Sequence, residues 1–300
     1  MSNLSVIILT FNEEIHIKRC IESLQPFAKN VYIIDSYSTD NTVKIAKSVG
    51  AHVYQNRWPG NHASQFQWGL DNCPIGTEWV MKMDADEYVL PELSAEINAK
   101  INSIPKSVSG IYIKRRVFFM GRWMKHGGYY PTWLLRIWRY EKGRVEQRLM
   151  DEHIKLSSGD VAHFESDFVD DNKKNLTWWI EKHNNYSIRE AADVLNTLYG
   201  FTKCDEIEPF FLGTQEQRKR WLKTRYVSLP LFFRPILYFV WRYFVKFGFL
   251  DGKQGLVWHV LQGFWYRFLV DAKINEVYLK AGKDKNAVLK YLRIEHKIEL

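Results

Sequence analysis

Asp84 and Asp86 flank Ala85 at the end of an apolar run in the stretch WVMKMDADEY. Two carboxylates at that spacing can share one hard divalent cation and leave its other positions to phosphate oxygens. The chemistry this suggests is capture of a phosphate-bearing ligand through a shared metal ion. A solvated turn carries the same pair with no such role. The elements around the pair decide between the two.

The apolar run at 79–83 predicts a buried strand that delivers both aspartates at its C-terminal end, the edge where parallel α/β sheets bind ligands. Residues 5–10 (SVIILT) are continuously apolar, as in a strand covered on both faces. A helical pattern through Ile17, Cys20, Ile21 and Leu24 follows and stops at Pro26. Residues 31–34 form a second strand ending in DSYSTDNT, where Thr39 or Asp40 can cap a helix that ends at Gly50. Residues 51–54 form a third strand. Strands and helices alternating at this spacing predict βαβ units and an α/β fold with a mostly parallel sheet. Asn12, Glu13, Asp35 and the Asp84/Asp86 pair then fall at corresponding strand ends and line one crevice. Read singly, Asp35 is a turn residue and Glu13 a charge in a helix's first turn.

SVIILTFNEE, IIDSYSTDNT and WVMKMDADE, in this order over roughly the first 100 residues, resemble a family 2 glycosyltransferase. That group has the GT-A fold, a Rossmann-like, mostly parallel sheet flanked by helices that binds nucleotide sugars. The resemblance implies that Asn12, Glu13 and Asp35 lie around the nucleotide base and ribose, with Thr10 among the donor-binding residues. It also implies that Asp84 faces the ribose or the metal and that Asp86 ligates the metal, magnesium or manganese. Tyr37 stands where many relatives have glycine, so a differently shaped turn is expected there. In the family, the region equivalent to 56–65 reaches over the donor. That makes Arg57 a diphosphate contact and Gln65 a nucleotide contact, with a surface arginine and a helix's polar face as the alternatives.

A transfer that inverts the anomeric carbon needs one carboxylate to take the acceptor hydroxyl's proton. In the family it comes from an acidic motif after the metal site, which Asp151-Glu152 matches in position and type. Glu152 is favoured and Asp151 is the alternative, because neighbours on a strand point to opposite faces. A surface acidic pair is the plain reading. His163 fits by position the late histidine that GT-A enzymes often add as a further metal ligand, with a structural histidine as the alternative. Residues 120–140 hold Trp123, Tyr129, Tyr130, Trp133 and Trp138 with His126 and Arg136 among them, which suits sugar stacking in an acceptor groove or packing under a long loop.

The 300 residues carry a formal net charge of +8, and all of it sits in residues 201–300, with 18 Lys+Arg against 10 Asp+Glu. A neutral body with a basic, aromatic end suggests contact with an anionic surface. Cys20, Cys73 and Cys204 form neither a disulfide framework nor metal spacing, so a reducing compartment is expected. The first residues read as leading straight into a strand, so no secretory signal is expected. Two domains are predicted, a catalytic one over 1–200 and a basic aromatic helical region over 201–300.

Within SLPLFFRPILYFVWRYFVKFGF no apolar run reaches the ~18 residues of a spanning helix. Arg234, Tyr238, Arg242 and Lys246 fall on one helical stripe, expected toward phosphate head groups with the aromatics in the acyl boundary. Peripheral contact through residues 218–270 with the cytoplasmic face of the inner membrane follows. A helical hairpin packed on the catalytic domain, or a dimer interface, is the alternative. Similar tails occur in bacterial family 2 enzymes with lipid-linked acceptors. The combined expectation is a metal-dependent, inverting transferase that moves a sugar from a nucleotide donor, UDP-linked, to a lipid-linked saccharide in surface polysaccharide or lipopolysaccharide assembly. A sugar-nucleotide pyrophosphorylase would carry a Gly-rich basic loop where Phe11-Asn12-Glu13-Glu14 stands. A docking scaffold with a degenerate site is the non-enzymatic alternative. Nucleic-acid binding is disfavoured by the tail's apolar face, and the oligomeric state is left open.

Overall fold

The structure is a computed structural model and describes residues 2–146, 154–202, 210–213 and 215–298. The chain divides into two compact units, Met1–Lys125 with Tyr129–Lys173, and His126–Gly128 with Lys174–Leu300.

In the first unit β1 (Leu4–Thr10), α1 (Ile17–Leu24), β2 (Asn30–Asp35), α2 (Thr42–Ser48), β3 (His52–Gln55), α3 (His62–Asn72) and β4 (Trp79–Asp84) alternate as the apolar pattern predicts. Strands β3, β2, β1 and β4 are neighbours in that order and run parallel. Then come β5 (Glu87–Val89), α4 (Pro91–Lys100), β6 (Val108–Phe119), β7 (Arg122–Trp123), β8 (Thr132–Arg139), β9 (Gly143–Val145), β10 (Ile154–Leu156) and β11 (Asp160–Asp170). The sheet continues from β4 through antiparallel β8 to β6 and on to β11, which is parallel to β6, with β5 antiparallel at the edge. The fold is α/β, as expected, and the parallel block β3-β2-β1-β4 forms one end of a mixed sheet.

Strand β1 explains why its sequence is apolar throughout. Leu4, Val6 and Ile8 pack in the core on one face of the sheet, among residues of α1 and α4, while Ile7 packs on the other face with Phe66 and Leu70 of α3. A strand covered on both sides has no face to leave polar. Helix α3 lies so close that a Cβ at Gly69 would come within 2.8 Å of Ile34 Cγ1.

In the second unit α5 (Leu176–Tyr199), α6 (Gln215–Val227), α7 (Phe233–Val240), α8 (Gly252–Trp258), α9 (Tyr266–Ala281) and α10 (Lys285–His296) follow one another. A π-helical stretch, Trp241–Val245, prolongs α7, and another, His259–Trp265, joins α8 to α9. Among the described residues no helix is long and apolar enough to cross a membrane.

The expected stripe of Arg234, Tyr238 and Arg242 is present on α7 and its extension, but it faces the opposite way. Arg234 is 1% exposed and gives Nε and Nη2 to Asp271 Oδ1 at 2.8 and 2.5 Å and Nη1 to the Val227 carbonyl at 3.0 Å. Arg242 donates to the Tyr238 hydroxyl and, at 2.6 Å, to the Gly127 carbonyl. Arg267 pairs with Glu190, which also takes the Tyr266 hydroxyl at 2.7 Å. Asp271 of α9 draws Arg234 inward, and Tyr238 with the Gly127 carbonyl engages Arg242, so head-group contact by these two arginines is corrected. Lys246 alone of the four stays exposed.

Candidate functional site

Strand β4 ends at Asp84, and a two-residue turn returns the chain into β5. Beneath that turn lies a buried ion pair. Arg136 of β8 gives Nη2 to Glu87 Oε1 at 2.5 Å, and Glu87 Oε2 takes the Asp84 amide at 2.8 Å. Arg136 also reaches Asp84 Oδ2 at 3.5 Å and the Lys82 carbonyl at 3.4 Å. Burial works against the guanidinium's charge, yet the carboxylates of Glu87, Asp84 and Asp170 raise its pKa beyond the usual arginine range. The Asp84 side chain is 48% exposed, so the carboxylate opens outward from this support.

Asp86 is held from the other side. Arg19 of α1 gives Nη1 to Asp171 Oδ2 at 2.8 Å and Nη2 to the carbonyls of Asp171 and Asp86 at 2.7 and 3.2 Å. The Asp171 amide donates to the same Asp86 carbonyl, and Asn172 Nδ2 donates to Asp86 Oδ2 at 2.8 Å. Behind the pair, burial together with Glu87, Asp86 and Asp84 raises the Cys20 thiol's pKa well above its ordinary value, so it stays an unreactive thiol.

The ends of β1 and β2 are stitched into one wall. Asp35 is fully buried and accepts from Thr10 Oγ1 at 3.0 Å, Ser38 N at 2.9 Å, Ser38 Oγ at 2.5 Å and Gln55 Nε2 at 3.2 Å. Asn12 gives its amide to Ser38 Oγ and takes the Thr39 amide on Oδ1 at 2.8 Å. Glu13 gives its amide to Thr42 Oγ1 and takes His16 Nδ1 at 2.6 Å. His16 Nε2 accepts the Lys173 amide at 2.7 Å, which places the ring proton on Nδ1. Gln65 is fully buried, bonded to Ser36 Oγ, the Asn56 carbonyl and Asn56 Nδ2. Asp35, expected around the base and ribose, and Gln65, expected as a nucleotide contact, thus lie inside the wall formed by these strand ends. Both are enclosed and saturated by the loops they shape. Arg57, one loop further, is exposed.

Tyr37 has φ +61° and Asn12 has φ +54°, both in the left-handed region that favours glycine. The turn at Tyr37 thus keeps a glycine-like backbone without a glycine. Phe11 and Tyr37 are 56% and 55% exposed at these same strand ends, where the sequence reading took Tyr37 only as a turn residue and neither ring as a contact.

The sequence profile of glycosyl transferase family 2 matches residues 5–178, more than half the chain. The chain belongs to glycosyl transferase family 2. It is 27% identical over 289 residues to the lipopolysaccharide core biosynthesis glycosyltransferase LpsC of Rhizobium meliloti (strain 1021), covering 90% of this chain and 91% of that one. It is 39% identical over 97 residues to glycosyltransferase RT0209 of Rickettsia typhi, and the match spans 32% of each chain. It spans about a third of the Rickettsia relative and 44% of a solved glucosyl-3-phosphoglycerate synthase from Mycobacterium tuberculosis. That synthase, in complex with Mn2+, uridine diphosphate and glucosyl-3-phosphoglycerate, shares 20% identity over 38% of this chain, with a TM-score of 0.32.

In this family 2 chain, His163 does not join Asp84 and Asp86. It pairs with Tyr112 in β11, stacks on that ring at 5.2 Å and meets Trp133 edge-on at 4.9 Å. Its partner Tyr112 and Val117, the β6 partner of Asp170, are five strand positions apart, which sets His163 on the order of 16 Å from Asp170, the residue paired with Glu87. The register also puts His163 on the face of Lys114 and Asp167, opposite that of Arg115 and Asp170. The structure therefore places the histidine expected as a third ligand in an aromatic stack, apart from the Asp84–Asp86 turn. Asp151 and Glu152 lie outside the described residues.

Among the described residues no three His, Cys, Asp or Glu side chains converge as a cation cage. Two carboxylates at one strand end, one of them half exposed, still suit a hard cation whose shell a ligand's phosphate oxygens complete. On the face of His163, Lys114 lies over the Trp133 ring at 5.3 Å and Arg116 over Trp123 at 4.5 Å. Asp167 joins them, taking Arg116 Nε at 2.6 Å and the Tyr130 hydroxyl at 3.2 Å. Sequence reasoning missed Glu87, Arg19, Asp171 and Asn172 as supports. It placed Arg136 among acceptor-side donors, whereas a lone arginine in the apolar run TWLLRIW was the available signal for a buried pair.

Proposed function

We propose that the first unit is a metal-dependent, inverting glycosyltransferase that moves a sugar from a nucleotide donor, UDP-linked, to a lipid-linked saccharide of the bacterial surface. The observation that carries this reading is the Asp84–Asp86 turn, held open over the buried Arg136–Glu87 pair. Family membership supports the nucleotide-sugar donor. The similarity to LpsC over nine-tenths of both chains supports lipopolysaccharide core as the setting. The cytoplasmic face of the inner membrane, where nucleotide sugars are at hand, belongs to the same proposal.

A magnesium or manganese ion held by Asp86 and Asp84 would offset the charge of the departing diphosphate. Asn172 and Arg19 fix Asp86 for that task, and Arg136 with Glu87 fixes Asp84. The wall built by Thr10, Asn12, Glu13 and Asp35 shapes the donor side, where exposed Phe11 and Tyr37 offer flat faces to a base. Trp133, Trp123 and Tyr130, with Lys114 and Arg116 beside them, offer sugar-stacking faces and cations to an anionic saccharide. Glu152, or Asp151, takes the proton of the acceptor hydroxyl.

Thermal stabilisation by UDP and by nucleotide sugars, with and without each metal, tests the reading. Stabilisation should require the metal and vanish in Asp86→Asn, whose own melting temperature stays near the parent's. Equal stabilisation without metal, or in the variant, would remove the proposal.

A further inference from the structure

The second unit turns its apolar side outward. Along α7 and its extension Phe233, Ile236, Leu237, Val240, Trp241 and Phe244 are each 41–54% exposed. They recur at three- and four-residue steps, one continuous helical stripe. Phe247, Phe249 and Leu250 carry it around the next turn at 43–57% exposure. Ring contacts join it sideways, from Phe268 to Phe264 at 5.7 Å, to Phe239 at 6.3 Å, to Tyr243 at 5.4 Å and on to Phe249 at 6.3 Å. The cations that would make the helix's polar side are instead engaged inside, Arg234 by Asp271 and Arg242 by Tyr238 and Gly127.

We propose that this face enters the interfacial layer of a phospholipid bilayer, rings downward, without crossing it. A contiguous exposed apolar patch of this extent marks a lipid or protein contact. Composition decides which. Trp241 lies beneath Lys246 Nζ at 5.3 Å, and Lys253 is exposed just past the Phe249–Leu250 tip. Lysine is depleted at protein–protein interface centres, whereas tryptophan with snorkelling lysine belongs at the head-group level of a membrane. Insertion is driven by apolar burial, because the arginines of the stripe are withheld from the surface. Binding therefore does not depend on anionic lipid, the reverse of what a basic outward stripe would give.

Vesicle flotation with the full chain tests this independently of any transferase activity. The protein should float with neutral phosphatidylcholine vesicles, and should still do so at about 0.5 M salt, where screening acts within a few ångströms. Trp241→Ser/Phe244→Ser/Phe247→Ser should bind at least tenfold more weakly with an unchanged circular dichroism spectrum. If that triple variant fails to fold, Phe244→Asp alone should give the same direction. Three results would overturn the proposal. One is binding to phosphatidylglycerol vesicles alone that salt abolishes, and another is undiminished binding by the folded variants. The third is a dimer by light scattering that the triple variant breaks while neither form floats, which would assign the face to a second copy of the chain.

Discussion

Glu87 takes the Arg136 guanidinium on one carboxylate oxygen and the Asp84 amide on the other, at 2.5 and 2.8 Å. Their side chains are 1% and 7% exposed, so both charges are out of water. Removing one partner of such a pair strands the other, whereas replacing both with apolar residues is often tolerated. Glu87→Ala should cost about 3–5 kcal/mol in urea denaturation. Glu87→Leu/Arg136→Met should recover most of that stability and still bind the donor poorly, since nothing then holds the Asp84 amide. Normal donor binding by the double variant would reduce the pair to a packing role.

Asn172 contributes one hydrogen bond to Asp86 Oδ2, the kind of outer contact that tunes a metal ligand. Asn172→Ala should raise the metal concentration needed for UDP-induced stabilisation roughly 10–100-fold, while the melting temperature without ligand changes little. A purely structural role would move the melting temperature and leave the metal midpoint alone.

His163 stacks on Tyr112, on the face opposite Asp170. His163→Ala should leave that same metal midpoint unchanged within about twofold, a difference under 0.5 kcal/mol. A tenfold shift would return the histidine to the metal.

What could be read from the chain were the features set by local pattern. The apolar runs of β1 and β4 announce strands covered on both faces, and the aspartates that end β4 follow without a break. The supports of the site come from remote segments: Arg136 is 49 residues from Glu87, and Asp171 is 152 from Arg19. Only the insertion of antiparallel β8 beside β4 brings the first pair together. Asp35 was legible as a strand-end residue, but its burial depends on Gln55, Thr10 and Ser38 closing over it. In the tail, periodicity revealed the stripe of Arg234, Tyr238 and Arg242 without revealing its direction. That direction is set by Asp271, 37 residues further on, which no helical repeat could disclose.

Buried His259 and half-buried His183 make the stability of the second unit depend on pH in a defined window. Burial in a stack on Trp179 at 3.5 Å is the main reason the His183 pKa is lowered to about 4, with Lys182 and Arg267 adding to it against the Trp179 carbonyl and Glu190. His259 is likewise lowered to about 4, first by burial and then by Arg242, against Asp251. An unfolded histidine titrates near 6.5, so between roughly pH 6.5 and 4 the unfolded chain binds more protons than the folded one. The contribution is complete above that window, is lost as pH falls through it, and levels off below about 4, with a slope near 1.4 kcal/mol per pH unit for each histidine.

In the first unit the linkage acts in a lower window. Glu96 is raised by burial, but Lys100 Nζ, the Glu165 and Ser166 amides and the Ser166 side chain more than offset this and lower it to about 2. Its stabilisation is full above about pH 4.5 and fades only toward 2. Urea denaturation followed by helical ellipticity at pH 7, 6 and 5 should show a falling midpoint, with His183→Phe flattening part of the slope and Glu96→Gln leaving it unchanged. A midpoint constant from pH 7 to 5 would mean that both histidines protonate in place.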